Sequence, residues 1–223
     1  MFAVLLACYT FLLLYFLMDR RIDSFATRDK KEGNGFVFLK LMKNGKMLIY
    51  MAAMFIYLGS ETALTFWIGS LYEHSGIGEF GAAALSAYWF ASIFGRLLGS
   101  CFKSPKTIVM PCFAVGAVGY FVVAFVPGVI AKTLAVIVMG IAFAPLYAGI
   151  ALIGGELFPE DSAPAFSLMI FAAGLGGVLF QPVISLFLSS GNPAAAYWIA
   201  GILSAITALV LGVMHGREKA AKA

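Results

Sequence analysis

Charge is scarce in this chain. Asp, Glu, Lys and Arg together make up 12% of the 223 residues, against about 25% in an ordinary soluble domain. So few charged side chains could not cover a water-soluble domain of this size. Cysteine is scarce as well: Cys8, Cys101 and Cys112 show no CxxC spacing and lie in or beside apolar runs. A disulfide scaffold is excluded, and the thiols read as small hydrophobes within helices. The two histidines, His74 and His215, are far apart in sequence, so no metal-ligand cluster is formed. No G-x-x-x-x-G-K-[ST] loop is present to cradle ATP, and H-E-x-x-H and G-x-S-x-G are missing too. No nucleophile, base and orienting group can be assembled, so the chain does not read as an enzyme and no cofactor is expected. The last apolar run has no lysine for a retinal Schiff base, and no Lys or Arg sits mid-run to meet an anionic solute.

What is present is apolar. Hydrophobic residues form 62% of the chain, and its mean hydropathy is +0.96. A helix needs about 20 apolar residues to cross the hydrocarbon core. Runs of that kind lie near 2–18, 47–71, 81–101, 107–127, 133–154, 163–188 and 194–214. They are continuous rather than alternating, which predicts helices and not barrel strands. The expected fold class is therefore an all-α membrane protein with seven transmembrane helices. The partner expected is a lipid bilayer, not nucleic acid.

The placement of charge predicts the orientation. Lys and Arg favour cytoplasmic loops. Residues 19–46 carry Arg20, Arg21, Arg28, Lys30, Lys31, Lys40, Lys43 and Lys46; Arg96, Lys103 and Lys106 flank the third-to-fourth connection; Arg217, Lys219 and Lys222 sit in the tail. In a seven-span arrangement all of these fall on one side and only Lys132 falls on the other. The expected topology is N-terminus outside and C-terminus cytoplasmic, in the plasma (cell inner) membrane. Met1 to Met18 has its charges after the apolar run, the reverse of a signal peptide. Residues 1–18 then form a single helix, 19–46 a cytoplasmic linker, 47–214 a six-helix bundle and 215–223 a tail. Within the linker, Phe36 to Lys46 mixes basic and apolar residues. It is either an amphipathic surface helix or a solvated connection whose cations serve topology alone.

This layout of one helix, a linker and six more resembles the second half of a major facilitator superfamily (MFS) transporter. That family has two six-helix bundles, each built from inverted three-helix repeats. Local patterns carry the resemblance further. Gly95-Arg96-Leu97-Leu98-Gly99 followed by Lys103 and Lys106 is similar to the G-R-x-x-G loop motif, though Tyr88-Trp89-Phe90 stand where an acidic residue often precedes it. Glu156-Leu157-Phe158-Pro159 is similar to the acidic-aromatic-proline loop after the tenth helix, without its usual arginine. Ala173-Gly174-Leu175-Gly176-Gly177 with Gln181-Pro182 resembles the glycine-rich eleventh helix. Tyr57-Leu58-Gly59-Ser60-Glu61 and Tyr88-Trp89 resemble the fucose-permease-like sugar branch. The resemblance implies alternating-access transport of a small polar solute, a sugar being one option, with protons as a possible coupling partner. It also implies that a missing N-terminal bundle or a second copy of the chain completes the path. Arg96, Gly95, Gly99 and Glu156 would serve the cytoplasmic gate or its framework.

Glu61 is the most informative residue, being the one carboxylate in the middle of an apolar run. On insertion scales an intramembrane Asp costs roughly 2.5–3.5 kcal/mol, so such a group should face a cavity or a partner. Two roles are open to it: a solute-binding or protonatable site, or a structural carboxylate bonded to a neighbouring helix. Tyr50, Met54, Tyr57, Glu61 and Thr65 share one helical stripe. Tyr88, Trp89 and Ser92 lie midway along the next run, where aromatics can stack on a sugar or simply pack. Gln181 can present an amide to a cavity or bond a neighbouring helix. Trp67 and Trp198 are placed as interfacial aromatics. Pro145, Gly149, Gly154 and Gly155 suggest a helix that bends or packs closely. The alternative to transport is an interaction or regulatory subunit built on the same half bundle. The orientation is checked with a fluorescent protein that matures only in the cytoplasm, fused after residue 223. The fusion is expected to fluoresce in cells, and a stable but dark fusion would reverse the assigned topology.

Overall fold

A computed structural model describes residues 35–102 and 104–220. The expected first helix, most of the linker, Lys103 and the last three residues lie outside the described residues. Every regular element among the described residues is helical: α1 (Gly35–Met42), α2 (Gly45–His74), a 3₁₀ turn (Gly78–Phe80), α3 (Gly81–Ser100), α4 (Pro105–Phe125), α5 (Val129–Phe143), α6 (Leu146–Leu157), α7 (Ser162–Ser189) and α8 (Pro193–Ala220).

Among the described residues, five segments are long and apolar enough to cross a membrane: Gly45–His74, Pro105–Phe125, Val129–Leu157, Ser162–Ser189 and Pro193–Glu218. The chain is a multi-pass membrane protein. The expected count of seven is reached only in part. The run 2–18 is outside the described residues. The run 81–101 does form helix α3, but it is not among the five apolar segments. Tyr88, Trp89, Ser86, Ser92 and Arg96 dilute its aliphatic content. Large apolar side chains such as Phe66, Ile130, Leu186 and Leu209 point outward and are exposed. A soluble domain does not present so much apolar surface to water.

Local chemistry sets the helix ends. The Asn44 side chain accepts from the backbone N–H groups of Lys46 and Met47 at 3.0 and 3.3 Å, and caps α2. Glycines with positive φ, Gly76, Gly128 and Gly191, reverse the chain after α2, α4 and α7. Prolines open α4 and α8 at Pro105 and Pro193. The run expected as one helix over 133–154 is two, interrupted at Ala144–Pro145. Proline has no N–H for the Ile141 carbonyl and its ring crowds that group. Gly149 N–H bonds back to the Pro145 carbonyl at 2.9 Å to begin α6. The segment Phe36–Lys46 is not one amphipathic helix. It ends at Met42 and restarts at Gly45 after the Asn44 cap.

The most extensive helix pairs are α2 with α7, α3 with α5, and α4 with α8. Take α5 and α6 as one unit and number the six helical units from α2 to α8 in order. The pairs are then first with fifth, second with fourth, and third with sixth. Exchanging the first three units for the last three leaves this set of pairs unchanged. Glycines set the closeness of approach. A Cβ on Gly176 would strike the Phe55 carbonyl, one on Gly95 the Ile141 carbonyl, and one on Gly140 the Tyr88 carbonyl. The core between the helices is aromatic, with Tyr50, Tyr72, Tyr88, Tyr120, Tyr197, Phe113 and Phe143 fully buried.

Substituting Gly176 by Leu should therefore separate α2 from α7 and cost at least about 1–3 kcal/mol. Gly174→Ala, where a Cβ would meet nothing within 4 Å, should be neutral or gain up to about 1 kcal/mol of helix propensity. Thermal unfolding of both variants in detergent would separate the two positions; equal effects would contradict the close contact.

Candidate functional site

Glu61 lies mid-way along α2, where one turn of helix brings Tyr57 beside it. The Tyr57 hydroxyl donates to Glu61 Oε2 at 2.8 Å. From α3 the Tyr88 hydroxyl donates to the other oxygen, Oε1, at 2.7 Å. The two phenols are buried, whereas Glu61 itself is only half-buried. The carboxylate thus sits at the rim of an aromatic cluster, held from the inside by two donors. Each oxygen retains acceptor capacity, since an ionised carboxylate can take about four hydrogen bonds.

The donors are themselves held by rings. Tyr57 meets Phe143 edge-on at 5.9 Å and Tyr147 at 6.5 Å between centroids. Phe143 in turn packs on Tyr120 at 5.9 Å. These rings come from either side of the α5–α6 break, so the break stands against the Glu61 cluster. The Tyr120 hydroxyl donates to the backbone carbonyl of Ser60, the residue before Glu61. The Ser60 hydroxyl donates back to the Tyr57 carbonyl at 3.1 Å. Tyr88 meets Trp89 at 5.3 Å in an edge contact.

The residues singled out in the sequence separate into groups. Glu61, Tyr57 and Tyr88 form one constellation. Thr65 is buried, and its hydroxyl donates to the Glu61 carbonyl at 3.0 Å, so it is satisfied by its own helix. Trp89 is adjacent to Tyr88 but nearly half exposed on the outer face of α3. Gln181 is drawn elsewhere: its Oε1 accepts from the Trp67 indole at 2.8 Å. Trp67 is six positions beyond Glu61 on α2, about 120° around the helix. The Gln181 Nε2 is buried with no hydrogen-bond partner among the described residues. The indole can only donate, so the amide oxygen must face it. Trp67, expected as an interfacial aromatic, is thus a helix-to-helix donor.

Gly95 and Gly99 both face the break, Gly95 against Ile141 and Ala144 and Gly99 against Pro145. Arg96 between them is exposed and makes no ion pair among the described residues. Glu156 is exposed at the end of α6. The acidic residue that does pair nearby is Asp161, at 3.5 Å from Lys40. Lys132, expected alone on the outer side, is buried and donates to Ser75 Oγ at 2.8 Å. No group of three or more His, Cys, Asp or Glu able to hold a metal occurs among the described residues.

The sequence reading missed Tyr120, Ser60, Phe143 and Tyr147 as members of the Glu61 cluster. Tyr120 carried one usable signal, a phenol in the middle of an otherwise apolar helix. No family model matches the chain, and no curated protein matches it in sequence.

Removing one donor, by Tyr57→Phe or Tyr88→Phe, is expected to lower stability by about 1–2 kcal/mol. Both changes act on one carboxylate, so the double variant should depart from additivity. Unfolding midpoints of the four proteins would show it; additive effects would mean that the two phenols do not share Glu61.

Proposed function

We propose that this chain is the C-terminal portion of a secondary transporter of the MFS type, moving a small polar solute by alternating access. The observation that carries the reading is Glu61: a partly buried carboxylate in the middle of an apolar helix, hydrogen-bonded by phenols from two different helices. An intramembrane carboxylate marks a solute or proton path by default. Its arrangement suits a solute rich in hydroxyls, for which Glu61 supplies acceptor capacity, and a sugar fits that description. Proton binding at Glu61 would release its ionic hold on the two phenols and so link protonation to the packing of α2 against α3.

Two further features support this reading. The pairing of six helical units as two equivalent threes is the pattern expected of a repeat-built half transporter. The α5–α6 break offers a bend beside the site, as gating requires. A second six-helix bundle, supplied by further sequence or by another copy, would complete the solute path. On this reading the protein resides in the plasma membrane with its C-terminus in the cytoplasm.

The test is uptake of a panel of radiolabelled neutral monosaccharides into cells carrying the chain in its native gene context. Wild type is expected to take up at least one of them, and Glu61→Gln to abolish that uptake or uncouple it from the proton gradient at unchanged membrane abundance. Uptake unaltered by Glu61→Gln would favour a non-transporting interaction subunit instead.

A further inference from the structure

The middle of α2 differs from its ends. Six consecutive carbonyls there, from Ile56 to Glu61, each accept a hydroxyl. Ser60 Oγ donates to Ile56 and, at 3.1 Å, to Tyr57. Thr62 Oγ1 donates to Leu58 and Gly59 at 2.8 and 3.0 Å. Tyr120 donates to Ser60, and Thr65 Oγ1 to Glu61 at 3.0 Å. Within the other described helices, away from their ends, such bonds occur singly, as from Ser86 to Ala82 and from Thr207 to Leu203. A hydroxyl on a helix carbonyl competes with the amide N–H that closes the turn, and it loosens or bends the helix there. The same stretch holds Gly59, Ser60, Thr62 and Thr65, all poor helix formers. In hydrocarbon a turn opens only where its freed groups find other partners. Here every one of the six carbonyls already has one.

The neighbouring helix α7 is weak at the same level. Pro182 leaves the Val178 carbonyl without its helical donor. Phe180 and Gln181, just before this proline, meet the same part of α2: the Phe180 ring fills the space that a Gly59 Cβ would need, and Gln181 accepts from Trp67. The two halves of α2 are also tied to different helices. Before the stretch, Lys46 and Tyr50 hold Glu218 and His215 at the end of α8. Beyond it, Tyr72 and Ser75 hold Thr133 and Lys132 at the start of α5.

We propose that α2 is two rigid halves joined by a hinge over residues 59–62, whose carbonyls keep hydroxyl partners when the turn opens. The N–H groups released by opening would turn to the flank where Glu61 and Thr62 are only half-buried. Tyr57 lies on one side of the hinge and Glu61 on it, so bending changes the hold of the phenols on the carboxylate. The proposal stands apart from the transport reading, since it needs neither a solute nor a second bundle.

The test is amide hydrogen exchange of the purified full chain in detergent micelles, resolved to single residues by fragmentation in the mass spectrometer. The N–H groups that close turns on these six carbonyls belong to residues 60–65. They are expected to exchange on the order of tenfold faster than those of residues 50–56 and 67–72 in the same helix. Thr62→Val, with Ser60→Ala as a second variant, removes a hydroxyl partner and should lose most of that excess. Ser86→Ala, which removes an isolated bond of the same kind in α3, should keep it. A flat profile along α2 would overturn the hinge. An excess that survives in both α2 variants would overturn the hydroxyls as its origin. An equal loss in Ser86→Ala would overturn its confinement to this stretch.

Discussion

Hydrocarbon offers no hydrogen bonds, so a polar group buried within the bilayer must find its partner inside the protein. The interior of this bundle is organised by that constraint at Glu61. The carboxylate takes one phenol from its own helix and one from α3, which sets the distance and rotation of α3 against α2. Placing the Tyr57 hydroxyl on Glu61 directs its ring onto Phe143 and Tyr147. Phe143 then receives Tyr120, whose hydroxyl closes onto the α2 backbone at Ser60. Five helices, α2 to α6, are thereby linked through one acidic side chain.

Glycine makes this registration possible. The aromatic cluster occupies much volume, and helices could not stay close around it if every position carried a side chain. Where the chain omits a Cβ, a backbone carbonyl of the neighbour takes the space, as at Gly176 with Phe55 and Gly95 with Ile141. The G-R-x-x-G pattern gains a concrete meaning from this. Its glycines are the surface on which the α5–α6 break rests, and Arg96 is free of that packing duty.

Periodicity and composition revealed the parts of the fold that depend on neighbours in sequence. Apolar runs located the helices, and the four-residue step paired Tyr57 with Glu61. Contacts across long separations left no such trace. Tyr88 reaches Glu61 over 27 positions and Trp67 reaches Gln181 over 114, and nothing local distinguishes them from packing aromatics. Thr65 misleads for the opposite reason: it shares the stripe of Glu61, but a threonine in a helix can satisfy itself on the preceding turn, and it does. Pro145 was legible as a bend, yet whether a proline bends or divides a helix depends on what packs against it.

The modest hydropathy of α3 has a consequence for biogenesis. A helix with Tyr88, Ser86, Ser92 and Arg96 partitions into lipid less readily than its neighbours. α2 carries its own obstacle in Glu61. Each relieves the other, since the Tyr88 hydroxyl and the Glu61 carboxylate cancel as unmet polar groups once paired. Only a short turn around Gly76 and the Gly78–Phe80 helix separates them. The two helices are thus suited to leave the insertion machinery together as a hairpin, with the acidic side chain already covered when it meets lipid.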